Sequence, residues 1–446
     1  MAKQKLKILI IVAGLLLSIL SIVGCGGQKN NTVGQNQQNV SKQGETINLL
    51  TQKHPWTTAI EPFIPEFEKE TGIKVNMQIL TEQQTRDKSL MTLQAKSPDI
   101  DVWMSLKSYE GLAYAKAGFY EPLDKYVNDP NLTPPDYKFN DFMKGPLEGE
   151  KIEGKLVGIP IIVEGPVVFY RKDLFTKYNI PLPKTLDDLV SIARTIQEKT
   201  NGEVYGVALR GLPPAVCYTF GPFFHNMGLE WLDSNGKPNF DKPQAIKAIE
   251  LYATLAGKYG PPGVVNNTFY QSTSLFTQGK VAMEIDASNE LATIIDPKSS
   301  RVVENVGVIP IPPGPGGDHP TVLQWGISIS AFSQHKEAAW KFVRWATSPE
   351  MQLRLALKGI ASPRASVWEN AEFKKSLAEP VRQEWASALK VIMEKGNPQV
   401  GPPAVKQAEV RKIIGEAIDK AILSQATPTQ VAQEIQQKLV EVLKQQ

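Results

Sequence analysis

Apolar positions along this chain switch repeatedly between two periods. Ile47 to Thr51 is a short apolar run that reads as a strand, and beyond His54, Pro55 and Trp56 the residues Ile60, Phe63, Ile64 and Phe67 return at helical spacing. Gly72 predicts the end of that helix. Ile73, Val75, Met77 and Ile79 then alternate as a strand, Arg86 to Lys96 reads as helix, and Ile100 to Met104 as a third strand. Strands alternating with helices of this length predict a doubly wound parallel sheet, which takes ligands at the carboxyl ends of its strands. His54, Pro55, Trp56 and Trp103 fall there.

The pattern breaks at the Gly- and Pro-punctuated turn Gly154 to Pro160, where a boundary between lobes is expected. A second α/β unit follows: the apolar strand Val167 to Tyr170, a helix capped by Thr185, Asp187 and Asp188 and ended by Asn201 and Gly202, and the strand Val204 to Leu209. Ala245 to Tyr259 reads as helix, Val281 to Ile285 as strand, and Pro312 to Pro320 as a Gly/Pro-rich turn. Trp340, Phe342, Val343 and Trp345 mark one helix of the tail, and Val431, Ile435, Leu439 and Leu443 another, with apolar residues facing a core. No internal repeat is evident.

The chain has 446 residues, 42% hydrophobic and 21% charged, a globular composition long enough for two or three lobes. Lys plus Arg number 49 against 46 for Asp plus Glu, and Lys3, Lys5 and Lys7 account for the whole excess. The rest is neutral and carries no Lys/Arg-rich run, which argues against a nucleic-acid partner, because phosphate binding needs clustered cations. Those three lysines precede an uncharged apolar stretch, Ile8 to Gly24, which together form a secretory signal. Its end, Ile22-Val23-Gly24-Cys25, resembles the lipobox of bacterial lipoproteins, which implies acylation of Cys25 as the first residue of the mature chain. Residues 1–24 are then the signal peptide and 25–45 the lipidated cysteine and tether. From Gly26 to Glu45 the sequence is mostly polar and Gly-rich, unable to bury surface, with a reach of roughly 25 Å if flexible. With Cys25 lipidated, Cys217 has no disulfide partner and reads as a packed thiol, with a nucleophile activated by His225 as the alternative.

Catalytic signatures are missing. His54, His225, His319 and His335 lack metal-ligand spacing, there is no nucleophile elbow or phosphate-binding loop, and the Gly-rich Gly314 to Gly317 precedes no helix. No metal, cofactor or catalytic residue is expected; two carboxylates at glycosidase separation are the one enzymatic arrangement a sequence can hide. Aromatic residues near loops do recur: Trp56, Trp103, Tyr109, the group Tyr218, Phe220, Phe223 and Phe224, then Trp231 and Trp325. A sugar's C–H face stacks on such rings while its hydroxyls seek carboxylates, amides and guanidinium groups. About half of these aromatics, the Phe residues first, are expected to be packing residues.

A set of short motifs, in order, resembles the family 1 extracellular solute-binding proteins of bacterial ABC importers, of the maltose or sugar-binding type. They include Phe63 to Val75, Ser97-Pro98-Asp99-Ile100-Asp101-Val102, Gly154 to Pro160, Phe169 to Phe175, Pro183 to Leu189, Phe276 to Met283, Ile309 to Gly314 and Glu337 to Val343. The resemblance implies a two-lobe periplasmic-binding-protein-like fold of type II, α/β, each lobe a β-sheet flanked by helices with the ligand in the cleft between them. The expected division is 46–158 plus 286–328 for the N-terminal lobe and 159–285 plus 329–446 for the C-terminal lobe, with crossings near Ile159 to Glu164, Met283 to Ser288 and Trp325 to Ser330. Carried over by position, Trp103, Glu164, Asp286, Trp325 and Arg364 match places near the family's cleft, and Trp56 joins them from the strand-end argument. Trp56, Trp103 and Trp325 are expected to stack on the ligand, and Glu164, Asp286 and Arg364 to bond its hydroxyls. The implied protein is a monomeric, lipid-anchored binder on the extracytoplasmic face of the cell membrane. It delivers a small solute, a carbohydrate by this resemblance, to permease subunits. A polyol, glycerol-phosphate or other small polar solute, a surface-tethered carbohydrate-active enzyme, and a sensor are the alternatives. Ser288 and Asn289 stand where many sugar binders carry an aromatic, which argues against a long oligosaccharide.

Overall fold

The structure is a computed structural model that describes residues 44–444. The signal segment, Cys25 and the tether up to residue 43 lie outside the described residues. Eleven strands are described: β1 (Thr46–Gln52), β2 (Lys74–Leu80), β3 (Val102–Ser105), β4 (Lys151–Ile152), β5 (Lys155–Leu156), β6 (Ile159–Glu164), β7 (Pro166–Arg171), β8 (Tyr205–Ala208), β9 (Val281–Ala287), β10 (Val306–Pro310) and β11 (Leu323–Ile329). Two sheets organise the molecule, one per lobe. The first runs β2-β1-β3-β11-β6 and the second β10-β7-β9-β8, with β4 and β5 forming a small hairpin.

The alternation of strands and helices suggests parallel sheets, but neither main sheet is purely parallel. β1 pairs parallel with β2 and β3, but β11 runs antiparallel to β3 and β6 because it enters the first sheet from the other lobe. In the second sheet β8 and β9 are parallel, while β7 is antiparallel to both β9 and β10. This pairing also moves the crossings. The chain leaves the first sheet between β6 and β7, where Gly165 is the single linking residue. A Cβ there would lie 2.3 Å from the Thr321 carbonyl oxygen, so only glycine permits the close approach. Met283 to Ser288 does not cross, since β9 and β10 both belong to the second sheet; the return comes between Pro310 and Leu323, ahead of the expected Trp325 to Ser330. The expected lobe segment 286–328 is thus shared between the sheets. The helix Lys336–Ala346, expected in the second lobe, packs Ala338, Trp340, Phe342 and Val343 into the first lobe's core with Leu49 and Ile327.

Strand alternation divides the first lobe's apolar residues between two faces. Leu49, Val102 and Met104 join one buried cluster while Leu50 and Trp103 join another. Helix starts follow capping chemistry: Thr81 with Gln84, Thr185 with Asp188, Thr268 with Gln271 and Thr427 with Gln430 form reciprocal capping boxes. Gly72, at φ 72°, ends the helix Ile64–Thr71 in the left-handed conformation, as its place in the sequence predicts. In the second lobe the helices Leu186–Lys199, Val216–His225, Pro243–Lys258, Gln407–Ile422 and Pro428–Leu443 share one buried cluster with residues of β7, β8 and β9. The helix Pro380–Lys395 covers the other side with Trp385, Leu389 and Ile392.

Candidate functional site

The strands of both sheets deliver polar side chains from their ends into one cavity between the lobes. His54 follows β1, Glu82 follows β2, Glu164 ends β6, Arg210 follows β8, and Glu290 lies beyond the end of β9. Trp325 comes from the amino-terminal part of β11, which points to the same place because β11 is antiparallel to its neighbours. Tyr218, Phe269 and Arg411 are carried in from helices of the second lobe. The cavity encloses about 390 Å³ of atom-free space, its mouth included, and the lobes touch across the cleft, where the Tyr270 hydroxyl of the second donates to the Lys53 carbonyl of the first.

Glu164 is the hub. Its carboxylate accepts hydrogen bonds from Trp325 Nε1 at 3.2 Å and from Asn289 Nδ2, and His54 Nε2 lies 3.9 Å away. Burial pushes the carboxyl up to about 7, against the opposing pull of the Asn289 hydrogen bond and the Arg210 charge. His54 caps the helix Pro55–Ile60, its Nδ1 accepting from the Trp56 backbone N–H at 3.2 Å, so the ring carries any neutral proton on the Nε2 that faces Glu164. Burial lowers that imidazole to about 3, so at physiological pH the ring is neutral and its contact with Glu164 is not an ion pair. The His54 and Trp325 rings lie 5.8 Å apart.

Arg210 is held by Asp286, which receives Nη2 at 2.6 Å and Nε at 3.0 Å. Its guanidinium stands 4.5 Å from the centroid of the Tyr218 ring. Beside this pair, Thr273 Oγ1 is 2.7 Å from Glu284 and 3.0 Å from Glu290. One hydroxyl proton cannot serve both carboxyls, so at least one of them is protonated and donates to Thr273; burial, reinforced by the Asp286 charge, raises both well above the usual range. The third cluster lies on the first lobe: Arg86 joins Glu82 and Glu110, each at 2.7 Å, and covers the Tyr109 ring at 3.9 Å.

Of the six residues expected to contact ligand, Glu164 and Trp325 line the cavity, and Asp286 reaches it through Arg210. The other three stand elsewhere. Trp56 is fully buried in the first lobe's core, because the helix it begins turns the indole inward. Trp103 points to the opposite sheet face from Met104 and stacks on Tyr120 at 5.2 Å. Arg364 is fully buried too, donating to the Thr347 and Lys138 carbonyls at 2.7 and 2.9 Å with Asp141 at 3.3 Å, so it ties loops together. Phe220, Phe223, Phe224 and Trp231 are core of the second lobe. Cys217 is a packed thiol: burial pushes it up to about 11, and His225 Nδ1 is engaged with the Leu229 carbonyl at 2.8 Å. Glu82, Arg210, Phe269, Glu290 and Arg411 are not among the expected contacts. Arg210, Glu82 and Glu290 follow strand ends and were within reach of the reasoning that found His54; Phe269 and Arg411 come from helices whose tertiary placement no local pattern encodes. Among the described residues no cluster of His, Cys, Asp and Glu has the geometry of a metal site.

This arrangement, a closed interlobe cavity with carboxyl, guanidinium and aromatic groups from both sheets, suits a small polar solute. Residues 54–353 match the profile of the bacterial extracellular solute-binding proteins. The chain belongs to that family. A mannitol-binding protein of Pseudomonas aeruginosa is 25% identical over 91% of this chain and 94% of its own. Among solved structures, an ABC transporter solute-binding protein of Agrobacterium vitis with bound D-mannitol superposes with a TM-score of 0.78 at 28% identity, covering 90% of this chain and 99% of that one. Another, from Agrobacterium radiobacter in complex with ribitol, gives a TM-score of 0.79 at 26% identity and the same coverage. The two-lobe fold of these binding proteins is thus the fold of this chain.

Proposed function

We propose that this solute-binding protein captures a neutral polyol or a single sugar unit between its lobes and delivers it to an ABC permease. One observation carries the reading: a narrow closed cavity in which Glu164, Arg210 and Glu290 offer acceptors and donors beside the rings of Trp325 and Tyr218. Hydroxyl groups can donate to Glu164 and accept from guanidinium groups, and C–H edges fit against the rings. The mannitol- and ribitol-binding relatives support the polyol in particular. In this reading Trp325 is the stacking surface, Glu164 a direct partner of hydroxyls, and Asp286 the residue that fixes Arg210. Trp56, Trp103 and Arg364 support the lobes. Binding proceeds without turnover, and the protein acts as a monomer anchored through lipid on Cys25 at the extracytoplasmic face, as the lipobox-like sequence suggests.

A larger sugar is the second reading, favoured by one feature. A pocket with about 740 Å³ of atom-free space, open solvent included, adjoins the cavity, shares His54, Phe269 and Glu290 with it, and presents the hydroxyls of Thr58, Thr273 and Ser274. Thermal-shift measurements on the purified full-length chain with polyols, monosaccharides, maltose, glycerol phosphate and amino acids separate the two. A ligand at 100 times its Kd stabilises by about 2.7 kcal/mol. The expected result is a shift with a polyol or monosaccharide and no product; a shift with maltose alone selects the larger ligand, and a shift with none of these sugars and polyols contradicts both. Cys25→Ser is expected to release the protein from membranes, and retention after carbonate washing would refute the anchor.

A further inference from the structure

The cavity holds one cation that the arrangement above leaves unused. Arg411, in the second turn of the helix Gln407–Ile422, is only 5% exposed, and neither its Nε nor its Nη1 has a hydrogen-bond partner. The other guanidiniums of this region are taken: Arg210 by Asp286, and Arg86 by Glu82 and Glu110. Glu82 stabilises the Arg411 charge from a distance but is bound by Arg86 at 2.7 Å. Burial accordingly lowers the Arg411 pKa. Leaving buried N–H donors unpaired is costly, and the group persists where a partner arrives from outside the fold. Arg411 also spans the cleft: carried by the second lobe, its guanidinium lies 4.8 Å from the centroid of the first lobe's Tyr109 ring.

We propose that Arg411 is a ligand-binding, specificity-determining residue, which donates its free N–H groups to adjacent hydroxyl oxygens of a neutral polyol or sugar. The inference rests on the reading of the cavity as the solute site and adds the residue that selects the ligand's oxygen pattern. A neutral ligand is expected because the carboxyls of Glu82, Glu164 and Glu290 already line the cavity, with Asp286 behind Arg210, and a ligand carboxylate would crowd a further negative charge against them. Arg411 lies beyond residues 54–353, the part of the chain that matches the family profile.

The test is calorimetric titration of D-mannitol, ribitol and D-mannonate into the full-length wild type, R411Q and R411K, with thermal unfolding of each ligand-free protein. The expected result is wild-type binding of a neutral polyol in preference to mannonate, lost at least tenfold in R411Q. The ligand-free Tm of R411Q should equal or exceed that of the wild type, because an unpaired buried charge has been removed. R411K, which keeps the charge without the planar fork, should lose affinity as well, and its loss decides the matter if R411Q folds poorly. A loss below tenfold in a folded variant, or mannonate binding more tightly than mannitol, overturns this inference alone. A wild type that binds neither polyol overturns the polyol assignment together with it.

Discussion

Glu164 ends β6 with its carboxyl nearly out of reach of solvent, and it is the side chain at which stability and binding compete. The groups that face it are His54, Trp325, Asn289, Arg210 and Asp286, and burial outweighs them to hold its pKa near 7, above the 4.5 of an ordinary glutamate. The folded state therefore holds a proton that the unfolded state releases. The resulting stability is complete below about pH 4.5 and is lost as pH rises through about 7. Thermal unfolding of the ligand-free chain should show a Tm that declines across that window, with a shallower decline in Glu164→Gln; equal slopes would contradict the assignment. Glu150, also raised to about 7 by burial, supplies part of the remaining slope. Glu150 exposes a second constraint at this scale. It pairs with Lys107 at 2.6 Å in the interior of the first lobe, and a Cβ on Gly326 would lie 2.1 Å from its Oε2. Gly326→Ala should destabilise the protein by about 1–3 kcal/mol in denaturant titration, because the carboxylate must leave its partner to make room.

The elements show which parts of the molecule were legible in the chain. The capping residues Thr185 and Asp188, the terminating Gly72 and the alternating strand after it were readable because local chemistry sets them. The helix Val216–His225 was not, since all ten of its residues are buried and a helix apolar on every side has no 3.6-residue signal. Its aromatic residues consequently read as a loop cluster. The crossing expected at Met283 to Ser288 was misplaced for a related reason: the pairing of β10 with β7 depends on which strands meet in space, and period alone cannot report it. Residues at strand ends were the recoverable part of the site, whereas Phe269 and Arg411 arrive on helices. The helix Phe269–Thr277 carries a further contact, since the Tyr270 hydroxyl donates to the Lys53 carbonyl of the first lobe at 2.5 Å. Separated lobes cannot make this bond. Tyr270→Phe removes about 0.5–1.5 kcal/mol from the closed state, so ligand affinity should fall about two- to twelvefold with the ligand-free Tm little changed. Unaltered affinity would mean that the bond does not bias closure.

At the scale of the whole molecule, two mixed sheets present their strand ends to one cavity, and closure is a population shift that a ligand drives only through contacts made with both lobes at once. Trp325 and Glu164 represent the first lobe and Arg210, Tyr218 and Arg411 the second, so a solute touching both sets binds the closed form preferentially. Calorimetric titration of D-mannitol and ribitol into wild type and Trp325→Ala shows most directly whether the solute sits here. One-to-one binding of at least one polyol is expected, weakened by about 1–3 kcal/mol when the indole is removed. Polyol binding of equal strength in both proteins would instead place the solute outside this cavity.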